Sequence, residues 1–298
     1  MGRQSGPAAP FIYSRGRMDA VGVGASGPVD NAAVGVVGVD GLDVCDSVGS
    51  DRRLFRWASC TKPATALAVL IAAEEGTLAL DEPAGPAGST VRHLLAHASG
   101  LGPEPGPPIA PPGVSRIYSN AGYLVLAGLI SERAGMEFAD YLSAGVLEPL
   151  GMTDTVLDAD APSGPAAAGL SGPLRDLLSL GRELAVPTLI SEGTHRAATS
   201  VSFPGLAGVL PGFQRFDPCD WGLGVELRGH KRPHWTGTAN SPETFGHFGR
   251  TGSFLWVDPV AGLICGGLSD RPFGQWAVRS WPRLADAVLA EVAGGPSR

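Results

Sequence analysis

The 298-residue chain carries 22 basic and 29 acidic residues, a formal net charge of −7 at pH 7. That balance disfavours nucleic acid and anionic membrane as partners, and no window approaches the roughly 18 uninterrupted apolar residues of a transmembrane helix. The length allows one large domain or two lobes, and Gly 43 with Pro 26 stops short of a disordered composition.

Residues 1–29 are Gly/Pro-rich and read as an irregular N-terminal arm. They hold no continuous apolar core of a secretory signal, so a cytoplasmic location is expected. The cysteines at 45, 60, 219 and 265 show neither C-x-x-C nor metal spacing and read as reduced thiols. Ala32 to Val39, Asp40-Gly41 and Leu42 to Cys45 read as a hairpin of buried strands around an Asp-Gly turn.

Phe55 to Pro63 leads into a segment with Ala64, Leu67, Ala68 and Ile71 on one helical face. Pro63 fits the first turn and Gly76 the stop. Ser59 and Lys62 then sit three apart at a helix start, within reach of one another. A hydroxyl beside an amine there is a workable nucleophile–base pair, because the helix dipole favours a neutral Lys and a developing oxyanion. The bland alternative is a capping serine and a solvated lysine. Only two of the 22 basic residues are Lys; Arg cannot lose its proton in a protein, whereas a desolvated Lys can. Cys60 is a rival nucleophile, expected to point inward because consecutive helical residues face different ways.

Ser89 or Thr90 caps a short helix from Val91 to Ala98, ended by Gly100. His93 and His97 stand four apart, a spacing that can share a zinc, but Leu94 occupies the place of a metallohydrolase glutamate. Histidines hydrogen-bonded in a core-facing turn are the favoured reading. Residues 102–113 form a Pro-rich loop, either cleft wall or mere connector. Tyr118 follows at a loop-to-helix junction before a helix over Ala121 to Ala134, stopped at Gly135. A helix from Glu137 to Leu147, an irregular stretch over 153–168, and a helix from Leu174 to Ala185 opened by Pro173 come next. From Trp221 the texture returns to strand: Trp221 to Arg228, Glu243 to Gly249, Ser253 to Pro259 and Gly262 to Leu268. Their turns fall at Arg228-Gly229, Arg250 to Gly252 and Asp258-Pro259, and an amphipathic helix over Gln275 to Val292 closes the chain. Strands at both ends and helices between them give an α+β pattern, not alternating βαβ. The expected division is an α/β lobe from about 30–80 and 220–298, and a mostly helical lobe over about 81–219.

The order Ser59-x-x-Lys62, Tyr118-x-Asn120, His247-x-Gly249 resembles the serine β-lactamase and penicillin-binding-protein superfamily. Within it the chain looks most like the class C β-lactamase-like branch, which includes D,D-peptidases and carboxylesterases. The flanks are similar too, as in Val91 to Leu101, Tyr118 to Tyr123, Pro149 to Thr155 and Gly246 to Gly249. The resemblance covers roughly residues 30–295. It implies a β-lactamase/transpeptidase-like fold, an antiparallel sheet flanked by helices. It also implies that Ser59 attacks an acyl carbonyl and carries the acyl group. Lys62, kept neutral by burial, and Tyr118, which can stand as a phenolate beside it, would share the proton transfers. Asn120 would orient the substrate or Lys62, and the backbone N–H groups of Ser59 and Arg250 would form the oxyanion hole, with Gly249 allowing close approach.

His247 stands where many members have Lys, which weakens recognition of a carboxylate because His carries at most a fractional charge near neutrality. The expectation is a serine hydrolase of a small ester or amide, with a small-molecule acyl substrate and no visible cofactor. Alternatives are β-lactamase or D,D-peptidase activity, acyl transfer in small-molecule biosynthesis, and a non-catalytic binding protein on the same fold.

Overall fold

Alternation along the valine-rich segment decides the central sheet. In the computed structural model, which describes residues 31–39, 47–48 and 52–293, strand β1 (Ala32–Gly38) sends Ala33 and Val37 to one face and Val34 and Val36 to the other. The chain continues through β2 (Ser47–Val48), β3 (Phe55–Arg56), a 3₁₀ turn at Ala58–Cys60, α1 (Thr61–Glu74), α2 (Val91–Leu95), α3 (Asn120–Ala134) and α4 (Phe138–Leu142). Then come β4 (Val156–Leu157), α5 (Pro165–Ala168), β5 (Leu170–Gly172), α6 (Leu174–Ala185), α7 (Glu192–Ala198), β6 (Gly208–Val209) and β7 (Arg215–Phe216). Strands β8 (Glu226–Leu227), β9 (Phe245–Gly249), β10 (Ser253–Asp258) and β11 (Leu263–Ser269) precede α8 (Gln275–Ala293).

Six strands in the order β2-β1-β11-β10-β9-β8 form the antiparallel sheet. One face packs Phe254, Trp256 and Cys265 against Trp281, Leu284 and Val288 of α8. The other packs Leu255, Ile264 and Leu268 against Leu174, Leu177 and Leu178 of α6, and its core runs on into α1 and α3. Gly35 permits that approach: a Cβ there would lie 2.9 Å from Leu178 Cδ1. Helix α6, which lies within 81–219, therefore covers the sheet.

Several elements differ from their sequence reading for local reasons. The Asp-Gly turn, the strand over 42–45, Cys45 and the arm at 1–29 lie outside the described residues. Helix α4 passes into a π-helical turn at Ser143–Leu147, and the stretch 153–168 contains β4 and α5. Trp221 makes only an isolated bridge to Glu226, across a Gly224 at φ 96°, so the strand there shrinks to β8. Arg228-Gly229 is no hairpin turn; the chain from 229 to 244 is a long loop.

A buried ionic network holds that loop. Glu226 accepts from Lys231 Nζ at 2.6 Å, from His234 Nε2 at 2.9 Å and from Trp235 Nε1 at 2.9 Å. Burial alone would raise the Glu226 carboxyl, but His234 and Lys231 outweigh it and hold it well below the usual carboxylate range. Glu226→Ala leaves the Lys231 cation buried without its carboxylate. The expected cost is about 3–5 kcal/mol of unfolding free energy in urea melts. A loss below about 1 kcal/mol would show that Lys231 finds water instead. The depressed carboxyl supports the fold above its ordinary value of 4.5, and that support is lost as pH falls below it.

Candidate active site

Ser59 is the middle residue of the 3₁₀ turn that opens into α1. Ala58 before it sits at φ 46°, a left-handed conformation that a non-glycine residue holds only when its surroundings enforce it. Helix α1 is tied to the 165–170 segment by Thr65 Oγ1, which donates to Ala166 O at 2.7 Å, and by Leu170 N–H, which donates to Thr61 Oγ1 at 3.0 Å. This tie brings the Ala167 carbonyl to Lys62.

Lys62 is fully buried. Its Nζ lies 2.8 Å from Asn120 Oδ1, 2.9 Å from Ala167 O and 3.3 Å from Ser59 Oγ. No carboxylate is among these partners. Burial therefore pushes the amine down to about 7 from its ordinary 10.5. In the neutral amine the two N–H bonds are taken by two carbonyl oxygens, and the remaining lone pair faces the Ser59 hydroxyl. Cys60 faces inward as expected: its Sγ donates to His247 O at 3.5 Å, and burial pushes the thiol up to about 12, away from a thiolate nucleophile.

Tyr118 stands just before α3, whose N-cap Ser119 accepts from Gly122 N–H at 2.9 Å. Lys62 Nζ lies 4.7 Å from the Tyr118 ring centroid. Burial pushes the phenol above its ordinary value, and this outweighs the Ser59 hydroxyl placed to bond its ionised form. The phenolate expectation is thereby corrected to a neutral phenol, because burial disfavours the anion.

His93 and His97 are turned apart. His93 is the N3 residue of a capping box with Thr90 and stacks on Phe203 at 4.2 Å. His97 lies beyond the end of α2 and accepts from Ser119 N–H at Nδ1. Among the described residues no group of three His, Cys, Asp or Glu is placed to hold a metal.

His247 projects from β9 and is 2% exposed. Its Nδ1 donates to Phe248 O at 2.8 Å, so the neutral ring leaves Nε2 as an acceptor, and that atom is buried without a partner among the described residues. Burial, with Lys62 adding to it, pushes the imidazole down to about 3. His247 is a neutral group at neutral pH. Two hydroxyls latch the turn after it to the Ser59 segment: Ser253 Oγ donates to Trp57 O at 2.6 Å and Thr251 Oγ1 to Arg56 O at 2.7 Å. Gly249 sits in the gap between them.

Ser59, Tyr118, Asn120, His247 and Arg250 line one cavity of about 210 Å³, walled by Leu210, Trp221, Phe248 and Phe273. Glu104 of the Pro-rich loop reaches its edge. A second cavity of about 460 Å³, lined by Phe55, Ala58 and Ala168, shares Ser163 and Arg250 with the first. Lys62 and Gly249 stand behind this lining. The sequence reading missed Trp221, the Ala167 carbonyl, the Ser253 latch and the contact of His97 with the Tyr118 loop; only the last lay on a residue already singled out.

The family model described as Beta-lactamase matches residues 32–290. A crystal structure described as a beta-lactamase from Mycobacterium bovis is 48% identical, with a TM-score of 0.88 over 92% of this chain and 99% of that one. "EstCE1, a hydrolase with promiscuous acyltransferase activity" shares the fold at 18% identity, with a TM-score of 0.73 over 91% of this chain and 97% of that one. Penicillin-binding protein 4* of Bacillus subtilis is 32% identical over 135 residues, 34% of this chain and 30% of that protein. The chain thus spans less than half the length of such curated relatives, 46% in the case of one from Escherichia coli.

Proposed function

The chain belongs to the Beta-lactamase family, whose members act as serine hydrolases, and from that premise we propose that it hydrolyses a small neutral ester through an acyl-enzyme on Ser59. The observation that carries the choice of substrate is His247: a buried neutral ring, its Nδ1–H committed to Phe248 O, occupies the cleft wall where a carboxylate would need a cation. Tyr118 adds no negative charge, and the positive charge of Lys62 fades as pH rises through about 7.

In this reading the Ser59 oxygen attacks the ester carbonyl as its proton passes to the Lys62 lone pair. The carbonyl electrons are held by the N–H groups of Ser59 and Arg250. Collapse of the intermediate expels the alkoxide, which takes a proton from the Tyr118 phenol, and Lys62 restores the phenol. Water then repeats the sequence on the acyl-enzyme. The leaving alcohol faces Tyr118, in the 210 Å³ cavity.

Because Lys62 must be neutral to accept the proton, kcat/KM should rise about tenfold per pH unit below about pH 7 and level off above it. No falling limb from Tyr118 is expected below its ordinary value of 10.0. A flat profile between acid and neutral pH would remove Lys62 as the base.

β-Lactam hydrolysis is the second reading. It is favoured by the name of the 48% identical Mycobacterium bovis structure, and exposed Arg250 at the cavity edge is a cation a carboxylate can meet. The deciding experiment is a donor panel of a p-nitrophenyl ester, a D-alanyl-D-alanine peptide and nitrocefin, read by turnover and intact mass. Ester turnover well above the other two supports the proposal. Nitrocefin turnover at the rate of the ester puts the second reading first, and acyl transfer to an added alcohol in preference to water would make the protein a transferase. No adduct with any donor would favour a binding protein.

A further inference from the structure

We propose that His97 is a positioning residue that fixes the Tyr118 phenol against Ser59 and Lys62 by gripping the chain on both sides of it. The proposal rests on the serine-hydrolase reading above. The His97 carbonyl accepts from Ile117 N–H at 2.9 Å, and its ring Nδ1 accepts from Ser119 N–H at 3.1 Å. One residue therefore holds the N–H groups of the residues on either side of Tyr118. Its ring also lies against the tyrosine face, with centroids 4.6 Å apart. Asn120, the first residue of α3, whose Oδ1 accepts from Lys62, has an anchor of its own: its N–H donates to Pro103 O at 3.2 Å.

Three further features bear on this role. His97 holds a left-handed backbone at φ 55°, a conformation that His, like Asn, takes more readily than most non-glycine residues. Its acceptance of the Ser119 N–H fixes the proton on Nε2, and that atom is buried without an acceptor among the described residues. An apolar ring of the same size would leave no such orphan in the core, so the cost of burying it is offset by what Nδ1 does. Burial and the neighbouring Lys62, His247 and Arg116 keep the ring neutral, the only state in which Nδ1 can accept.

Asparagine is the informative replacement. Its Oδ1 occupies the place of Nδ1 as an acceptor, and it tolerates the left-handed region. His97→Phe keeps a ring and loses the acceptor; His97→Gln keeps an acceptor but moves it by one methylene. The readouts are thermal unfolding, kcat and KM for the best donor in the panel, and the rate of Ser59 labelling by a fluorophosphonate. His97→Phe and His97→Gln should lower kcat and the labelling rate about 10- to 100-fold with KM within about twofold. His97→Asn should recover most of both. In a Tyr118→Phe background, His97→Phe should cost less than about twofold more, since the group it positions is gone. If His97→Phe fails to fold, the Gln and Asn pair carries the same comparison. Unchanged kcat in the Gln variant, or an equal loss in the Tyr118→Phe background, would overturn the proposal. Failure of the ester reading looks different: wild-type protein would label with fluorophosphonate yet leave esters intact.

Discussion

Lys62→Arg should cut the rate of Ser59 acylation by about 10³-fold or more, beyond the effect of removing most single proton-transfer groups. The reason lies in the partners of the amine. Asn120 Oδ1 and Ala167 O are neutral acceptors at 2.8 and 2.9 Å, so a cation here is desolvated without a counter-charge. Lysine escapes that cost by releasing its proton, and so gains a lone pair directed at Ser59. Arginine cannot release one, so it keeps the charge and offers no lone pair. A bulky buried guanidinium also strains the fold, and Lys62→Met is the control: neutral, of similar length, and equally unable to accept a proton. Both variants should retain secondary structure by circular dichroism and fail to form the adduct by intact mass, as Ser59→Ala should. Wild-type acylation in Lys62→Met would take the amine out of the mechanism.

The other lysine shows how far such a reading can go from sequence. Lys231 is as rare a residue type as Lys62 and nearly as buried, yet it contacts Glu226 at 2.6 Å and is an ordinary buried ion pair. Scarcity of lysine alone could not separate the two; the nearby serine did. The helix behind Tyr118 was legible from its apolar spacing and the stop at Gly135, and the structure ends it there in a left-handed cap; the Ser119 cap at its start came from the structure. The grouping of antiparallel strands at the C-terminal end was legible from alternation. What stayed hidden depends on contacts between distant segments. The Ala167 carbonyl reaches Lys62 from a short helix in a stretch without periodicity. Ser253 and Thr251 act on carbonyls 196 and 195 residues away. His97 carries its signal in a backbone angle and a ring nitrogen, neither of which has a sequence signature.

Gly249→Ala should lower kcat by about 10²- to 10³-fold, the usual effect of losing one oxyanion-hole donor, while changing KM little. A Cβ at this position would lie 2.4 Å from Trp57 O, 2.3 Å from Ser253 Oγ and 3.1 Å from Ala58 Cβ. The glycine is needed for close approach, not for an unusual backbone angle. Trp57 O cannot yield easily, because it already accepts the Ser253 hydroxyl at 2.6 Å. The methyl must therefore push the end of β9 away from the 3₁₀ turn, and Arg250 N–H moves with it, out of line with the Ser59 N–H. Overpacking alone would also cost about 1–3 kcal/mol of stability, so activity and unfolding need to be measured on the same preparation. The cavity-side distinction comes from Ser253→Ala, which loosens the latch without adding bulk and should cost less in kcat. If Gly249→Ala is destabilised yet turns over normally, the Arg250 N–H is not an oxyanion donor, and stabilisation of the intermediate must come from Ser59 N–H with a side chain of the cavity wall.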